Sequence, residues 1–534
     1  MHKLNWKLLL LFIIGCLILF FPLWRWDFFQ SMDGELHLGR IGVYTHELRQ
    51  GQFPVRWSEI LNYGYGSPIF NFVYPLPYFS ASILHLIGLP LSFSIKIIII
   101  LSWILSGIFM YLALSKWTKN KLASVIGALF YIAMPYRIMD VYVRMAFGEH
   151  VAFVFPPLIM LGYLYFKQDK NINGLFWVTI AVAGLILSHN ALAIMFLILL
   201  YAIAIFDLGI KNIKKISFLS LAFFGGLLIS AFFWLSSLYE MKYTLTKIYL
   251  SDKNFHDYFL NLAQVWWMPW SFSNKHTPTY IGISGLITTL LAIITVLKTK
   301  SKTIIFLLVF LGLTIFITTP LSVWFWERIP IIQFFQTPWR FLSIAVYIIS
   351  LLIAYSLKNN KNYILGIILV VVLLIEVVPN IKVSKLMSVD DSYYNNYPLS
   401  TTWHHEGAPI WTAGEATEFP PQRFQLLGDG EIKFNQENTL AKNIKVFANQ
   451  DSRLIYNHYY FPGWKVFVDQ KPVEVQFQDP QYRGLITFDI AKGNHNVEII
   501  FGKTKIRLVS EFLSLIGILF FIGLTIRTNF RSKI

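Results

Sequence analysis

Two carboxylates stand one residue apart in "SMDGELHLGR": Asp33 and Glu35, followed by His37 and Arg40. A pair so spaced can share a divalent cation such as Mg or Mn. It can also divide the work, one carboxylate taking a proton while the other orients the reacting group. The same residues suit a plain helix start, with Asp33 as N-cap and Leu36, Ile41, Val43 and Leu48 on the apolar side. A second polar stretch, "PYRIMDVYVRMAFGEH", holds Arg137, Asp140, Arg144, Glu149 and His150. A guanidinium matches phosphate oxygens bidentately, so Arg144 and Arg137 are candidates for an anionic head group; an arginine–carboxylate network joining helix ends would use the same residues. His189 falls at a helix-to-helix corner beside Asn190. Arg340, after Pro338-Trp339, is either a snorkelling interfacial arginine or a second phosphate clamp. "TTWHHEG" brings His404, His405 and Glu406 together, but adjacent side chains point apart and the spacing is not H-E-x-x-H. The candidate catalytic and metal-binding pair is therefore Asp33 and Glu35. Arg144, Arg340, Arg137, Glu149, His150 and His189 are candidate substrate- and phosphate-binding residues.

The elements that must position these groups lie in a membrane. Of 534 residues, 55% are hydrophobic and only 14% charged, against about 25% charged in soluble globular chains. That composition excludes a soluble enzyme, a disordered chain and a nucleic-acid binder. Cys16 is the one cysteine, so an intrachain disulfide and a cysteine metal cluster are excluded as well. A bilayer core needs roughly 20 apolar residues of helix. Runs of that kind appear near 8–24, 93–115, 122–136, 148–166, 174–190, 191–209, 216–238, 279–297, 303–323, 341–357, 362–379 and 508–526, about twelve spans. The stretch 69–91 is apolar too, but Pro68, Pro75, Pro77 and Pro90 make it a juxtamembrane or re-entrant segment.

Charge sets the orientation. Basic clusters at Lys3/Lys7, Lys116–Lys121, Lys167/Lys170, Lys211–Lys215, Lys298–Lys302, Lys358/Lys361 and Arg527–Lys533 all fall on one side when 69–91 is not a crossing. The net charge of +16 is thus a topology signal, with both termini cytoplasmic and the first segment a retained anchor. Regions 25–92, 137–147, 239–278, 324–340 and 380–506 then lie outside. In the first, Trp57, Tyr63, Tyr65 and Tyr74 suit an interfacial belt or the wall of a lipid or sugar groove. Region 380–506 alternates with period two. "RLIYNHYYFPGWKVFVDQKPVEVQF" turns at Pro462-Gly463 and at Asp469–Pro472, and "GLITFDI" with "HNVEIIF" reads as a hairpin. The expected fold is a polytopic α-helical membrane domain (1–379), an extracytoplasmic β-sandwich-like domain (380–506), and a final helix with a basic tail (507–534).

This arrangement resembles the GT-C class of integral-membrane glycosyltransferases, which keep a carboxylate motif in the first outer loop. "DGELHLGRIGVYTHELRQGQFPVRWSEILNYGYGSPIFNFVYPLPYF" with "PYRIMDVYVRMAFGEH" is similar to bacterial membrane proteins described as pyruvoyl-tetrahydropterin-synthase-related. "YYFPGWKVFVDQKPVEV…GLITFDIAKGNHNVEIIF" resembles the outer domain of YfhO-like membrane proteins. No three-histidine zinc site of a pterin synthase is visible. The GT-C resemblance implies transfer of a sugar, with inversion, from a polyprenyl-phosphate carrier to a saccharide, lipid or protein acceptor outside the bacterial cytoplasmic membrane. It places Asp33 at the catalytic carboxylate and Glu35 as its companion, and it implies no nucleic acid. A transporter or flippase of a lipid-linked saccharide would use the same arginines and aromatics but need no base. A non-catalytic glycan-binding envelope protein would not need so many spans.

Overall fold

A computed structural model describes residues 14–25, 27–169, 173–246, 255–272, 277–359, 364–402, 406–412, 414 and 416–531, with side chains left aside at 434–437 and 524–531. His404 and His405 lie outside the described residues. Within the described residues, each predicted apolar run falls largely on helix; residues 8–13 and 362–363 of two runs lie outside them. Among the described residues, five helices are long and apolar enough to cross a membrane: Leu91–Thr118, Phe147–Asp169, Asn190–Leu208, Pro338–Leu357 and Lys505–Gly523. Three pairs pass together but are bent, by 41° at Lys121–Ala133/Pro135–Arg144, 67° at Ile213–Ile229/Ala231–Tyr243 and 84° at Lys302–Thr318/Pro320–Arg328. Counting each pair as one span gives up to eight. Ile14–Trp24, Asn173–Ser188, Ile283–Thr299 and Ile364–Asn380 are apolar but shorter.

The bends have local causes. Pro135 forces its predecessor Met134 to ψ 146°, out of the helical region, and restarts the helix at its own N1 position. Pro320 restarts a second of the three broken helices in the same way after an extended Thr319. The stretch 69–91 forms a short turn at Ile69–Asn71 and a 12-residue helix, Pro75–Leu86, as its prolines require. Loop one also carries the helix Gly34–Arg49. Its face is cut for close packing. A Cβ on Gly39 would enter the Tyr397 ring, and one on Gly42 would meet the Tyr394 carbonyl. The small residues therefore let segment 391–397 lie directly against this helix.

The regions predicted to share the outer side do pack on one another. Strand β1 (Phe28–Phe29) pairs antiparallel with β2 (Leu386–Met387). The β-rich region holds eight further strands: β3 (Phe424–Leu427), β4 (Gly430–Asn438), β5 (Ala441–Ala448), β6 (Ser452–Tyr459), β7 (Trp464–Val468), β8 (Lys471–Val473), β9 (Leu485–Ile490) and β10 (Gly493–Phe501). Their sheets run β4-β5-β10-β7-β8 and β3-β6-β9, and Ile444, Val466 and Ile499 of one share a core with Leu454, Tyr456 and Phe488 of the other. The expected turn at Asp469-Gln470 is there, both residues at positive φ between paired β7 and β8. The expected β9–β10 hairpin is not. β9 pairs with β6, and β10 with β5 and β7, so the chain crosses between sheets at 491–492. Alternation reports which side chains face a core; it does not name the hydrogen-bonding partner. Loop one is fastened to this region through Trp57, whose Nε1 donates to His458 Nε2 (2.9 Å), and through Glu59, which pairs with Lys442 (2.9 Å) and Arg423.

Candidate active site

The second polar stretch ends its helix in an unusual way, and that ending builds the site. Residues Asp140–Arg144 form a π-helical turn, and Met145 closes it in the left-handed region at φ 57°. The Ala146 amide reaches back to the Asp140 carbonyl (2.8 Å). Terminal helix carbonyls need outside donors, and loop one supplies them. Met32 N–H donates to the Val143 carbonyl (3.0 Å) and Asp33 N–H to the Arg144 carbonyl (2.9 Å). Asp33 is thereby held beside Arg144, and its carboxylate acts electrostatically on both Arg144 and Arg40. It stands at the N-cap of Gly34–Arg49, as one of the two readings required, without a side-chain cap bond.

Glu149, in the first turn of the next helix, is the anion around which the cations gather. Its Oε1 accepts from Arg340 Nε (2.9 Å) and Arg144 Nη2 (3.2 Å), with His189 Nε2 at 3.8 Å; Oε2 accepts from the Tyr136 hydroxyl (3.1 Å). Arg144 also donates to Asp140 Oδ1 (2.8 Å) and lies over the Trp339 ring, 4.7 Å from its centre. Arg340 is aimed by its backbone: the turn Pro338–Phe341 opens the following helix, and Nη1 donates to the Phe335 carbonyl (2.7 Å). His189 caps Asn190–Leu208, its Nδ1 accepting from the Leu192 amide (3.3 Å), so Nε2 carries the hydrogen that faces Glu149. Arg137 and His150 sit elsewhere. Arg137 is 0% exposed, between the rings of Phe153 (4.0 Å) and Tyr131 (5.4 Å), and His150 packs edge-on against Trp103.

Four further residues enter from loop one. Tyr78, fully buried, receives Arg40 Nη1 (3.0 Å) and lies 2.8 Å from His37 Nδ1. Tyr74 stacks on Tyr78 (5.8 Å) and against His189 (5.1 Å), joining the two halves of the site. Gly148 makes room for it: a Cβ there would fall inside the Tyr74 ring. Burial, then Arg40 and Arg144, hold the His37 pKa well below its ordinary value, so the ring is neutral. Burial pushes the Tyr74 and Tyr78 hydroxyls up, with Arg40 opposing. For these residues the sequence offered only spacing: His37 and Arg40 three apart on one helix, Tyr74 and Tyr78 four apart.

Asp33 and Glu35 meet different neighbours. Glu35 is exposed and acts on Tyr394 and Tyr397, whereas Asp33 faces Arg40 and Arg144, cations that oppose a divalent ion. Among the described residues no group of three or more His, Cys, Asp or Glu is placed to hold a metal. The chemistry available is a half-buried carboxylate, Asp33, beside Arg144, which converges with Arg340 on Glu149.

Among solved structures, the chain is similar to the oligosaccharyltransferase of Archaeoglobus fulgidus. Against its apo crystal form the TM-score is 0.46 at 14% identity, covering 77% of this chain and 62% of that one. Against its complex with Zn and sulfate the TM-score is 0.46 at 16% identity, covering 76% and 59%. Against AglB from the same organism, in complex with an inhibitory peptide and a dolichol-phosphate, it is 0.47 at 14% identity, covering 77% and 61%. An uncharacterized protein of Lactococcus lactis subsp. cremoris is 24% identical over 259 residues, 47% of this chain and 42% of its own length. The chain spans less than two thirds of each of these proteins. The family model for the 6-pyruvoyl-tetrahydropterin synthase related domain, a membrane protein, matches residues 70–384, more than half of the chain. The protein belongs to that membrane-protein family.

Proposed function

We propose that the protein is a membrane glycosyltransferase of GT-C type. It moves a sugar from a polyprenyl-phosphate carrier to a saccharide, lipid or protein acceptor on the outer face of a bacterial cytoplasmic membrane, with both termini cytoplasmic and about twelve spans. One observation carries this reading: the Asp33 amide is bonded to the Arg144 carbonyl, while Arg144 and Arg340 converge on Glu149. A candidate base from the first outer loop is thus bonded through its backbone to Arg144, which with Arg340 holds Glu149.

Asp33 accepts the proton of an acceptor hydroxyl as its oxygen bonds to the anomeric carbon. The bond from that carbon to the phosphate oxygen breaks on the opposite face, its electron pair leaving with the lipid phosphate, so configuration inverts. Arg144 and Arg340 neutralise the charge gathering on the phosphate. Glu149 orients both guanidinium groups, and His189 hydrogen-bonds beside them. Arg137 and His150, buried among aromatic rings, support this region from within the helices. Glu35, which is exposed, is assigned to the acceptor side. The long apolar helices hold the lipid chain, and the β-rich region stands over the outer face. Substitution separates the roles. Asp33→Asn keeps donor binding and loses turnover, whereas Arg144→Ala weakens donor binding. Full transfer by Asp33→Asn, or unchanged donor affinity in Arg144→Ala, would contradict the assignment.

A further inference from the structure

Along the helix Gly34–Arg49 a stripe leads away from Asp33. Glu35, Gly39 and Gly42 follow one another at four and three residues, so they share one face. The two glycines admit Tyr397 and Tyr394, whose rings stack with centres 5.8 Å apart. Segment 390–402 is thereby laid along the stripe. Asp391 anchors its start, both carboxylate oxygens accepting from the Leu91 amide (3.2 Å), and Arg40 Nη2 donates to the Thr401 carbonyl near its end.

The segment reads DDSYYNNYPLSTT. Tyr393 is 45% exposed and meets Tyr397 edge-on (5.6 Å), and Ser392 and Asn396 are exposed on either side. Beside it stands Tyr63 of loop one, whose amide donates to the Pro398 carbonyl (2.7 Å). Asn62 and Tyr63 both hold positive φ, 55° and 53°, a conformation unfavourable for residues other than glycine that persists where the surroundings over-determine it. Tyr63 is half-exposed and lies edge-on to Phe419 (5.4 Å), which is 60% exposed. Loop one, the segment before the β-rich region and that region itself thus each contribute an open ring to one surface.

The chemistry of this surface selects its occupant. Bilayer lipid calls for aliphatic side chains between the rings, whereas Leu399, the one aliphatic side chain of 390–402, packs on the helical core and the rest are hydroxyls and amides. An anionic polymer calls for cations, whereas the segment holds Asp390 and Asp391 and no basic residue, and Glu35 and Glu418 are exposed. Rigid rings interleaved with serine and asparagine suit a ligand that is flat and rich in hydroxyls. Sugar rings lay their C–H faces on aromatics while their hydroxyls donate to carboxylate and amide oxygens. Gly39 and Gly42 lie about 9 Å and about 14 Å along the helix from Asp33 at 1.5 Å per residue, the reach of a short oligosaccharide.

We propose that Tyr393, Tyr63 and Phe419, with Glu35, form a subsite for an uncharged oligosaccharide, the acceptor whose terminal hydroxyl reaches Asp33. That last role rests on the transferase reading above; the binding of the saccharide does not.

Binding of neutral hexose and N-acetylhexosamine tetrasaccharides to the full-length protein in detergent is measured by saturation-transfer NMR, beside a glycerol phosphate oligomer and a polar peptide. Affinity for a fluorescent polyprenyl phosphate is read on the same samples. Tyr393→Ala and Phe419→Ala each remove an exposed ring. Tyr63→Gly removes a ring at a φ that glycine adopts freely, so its thermal stability should hold. Each variant is expected to weaken tetrasaccharide binding by roughly 10-fold and to leave polyprenyl phosphate affinity within ~2-fold. If Tyr63→Gly does not fold, the other two carry the test. No tetrasaccharide binding by wild type, binding of the phosphate oligomer or the peptide in its place, or unchanged tetrasaccharide affinity in the variants overturns the subsite. Sugar transfer to a peptide or lipid without tetrasaccharide binding overturns the subsite and leaves the transferase reading standing. Tetrasaccharide binding that the variants weaken, in a protein whose wild type transfers no sugar, supports the subsite and counts instead against the transferase reading.

Discussion

Consider Glu149→Gln, which removes one buried negative charge and changes almost no volume. Oε1 holds Arg340 Nε and Arg144 Nη2 at 2.9 and 3.2 Å, and Oε2 takes the Tyr136 hydroxyl. Glu149 is 1% exposed, and Arg144 and Arg340 are also buried. Deleting one partner of such a group, as in Glu149→Ala, costs about 3–5 kcal/mol because the remaining charges stay buried without compensation. Glutamine keeps an acceptor for the arginines, and the Tyr136 hydroxyl can rotate to accept from its amide. The loss should then be about 1–2 kcal/mol, the difference between charged and neutral hydrogen bonds. Donor binding should move the other way. A phosphate held across the guanidinium groups would lie ~6 Å from the Glu149 carboxylate, a repulsion of about 3 kcal/mol at an effective dielectric constant of 20. Relief of that repulsion, reduced by solvent screening, tightens donor affinity by roughly 10-fold. The assay pairs thermal unfolding in detergent with equilibrium binding of a fluorescent polyprenyl phosphate. Lower stability with tighter binding is the expected pair; affinity that falls together with stability would refute the arginine clamp.

Two other perturbations have signs fixed by the structure. Gly148→Ala drives a Cβ into the Tyr74 ring, so it should cost about 1–3 kcal/mol as an overpacked site and lower kcat, both read on the purified protein. Burial raises the Glu47 carboxyl to about 8, with Lys442 and Gln52 opposing. A carboxyl raised on folding contributes stability that is full below its ordinary value and lost as pH rises through 8. Wild-type thermal stability should therefore fall between about pH 5 and 9 while Glu47→Gln stays flatter; equal slopes would contradict a buried, protonated Glu47.

Much of the architecture was legible because hydrophobicity and proline act locally. Within the described residues, twelve apolar runs lie largely on helices, and the prolines around 69–91 shorten that segment to Pro75–Leu86. Which regions lie together was legible through charge: segments assigned to one side meet as β1–β2, as Asp33 on Arg144 and as Arg340 on Glu149. Span lengths were not, since a bend at Pro135 or Pro320 splits a run whose composition is uniform. Strand partners were not either, because β9 and β10 present the same alternation whether they pair or part. At the site, residue types singled out Asp33, Arg144, Arg340, Arg137 and His150 alike; the structure gathers Arg144 and Arg340 on Glu149 and buries Arg137 and His150 among rings. Tyr78 and Gly148 were silent. Their roles come from contacts across loop one that no short spacing encodes.

The central claim is that Asp33 removes a proton during sugar transfer beside the arginines. Proteoliposomes carrying wild type or Asp33→Asn, given a panel of radiolabelled polyprenyl-phosphate sugars, test it directly. Label passing from lipid to an acceptor with wild type, and not with Asp33→Asn, is the result this account predicts. Label crossing the bilayer still attached to its lipid, equally with both proteins, would contradict it and identify a flippase.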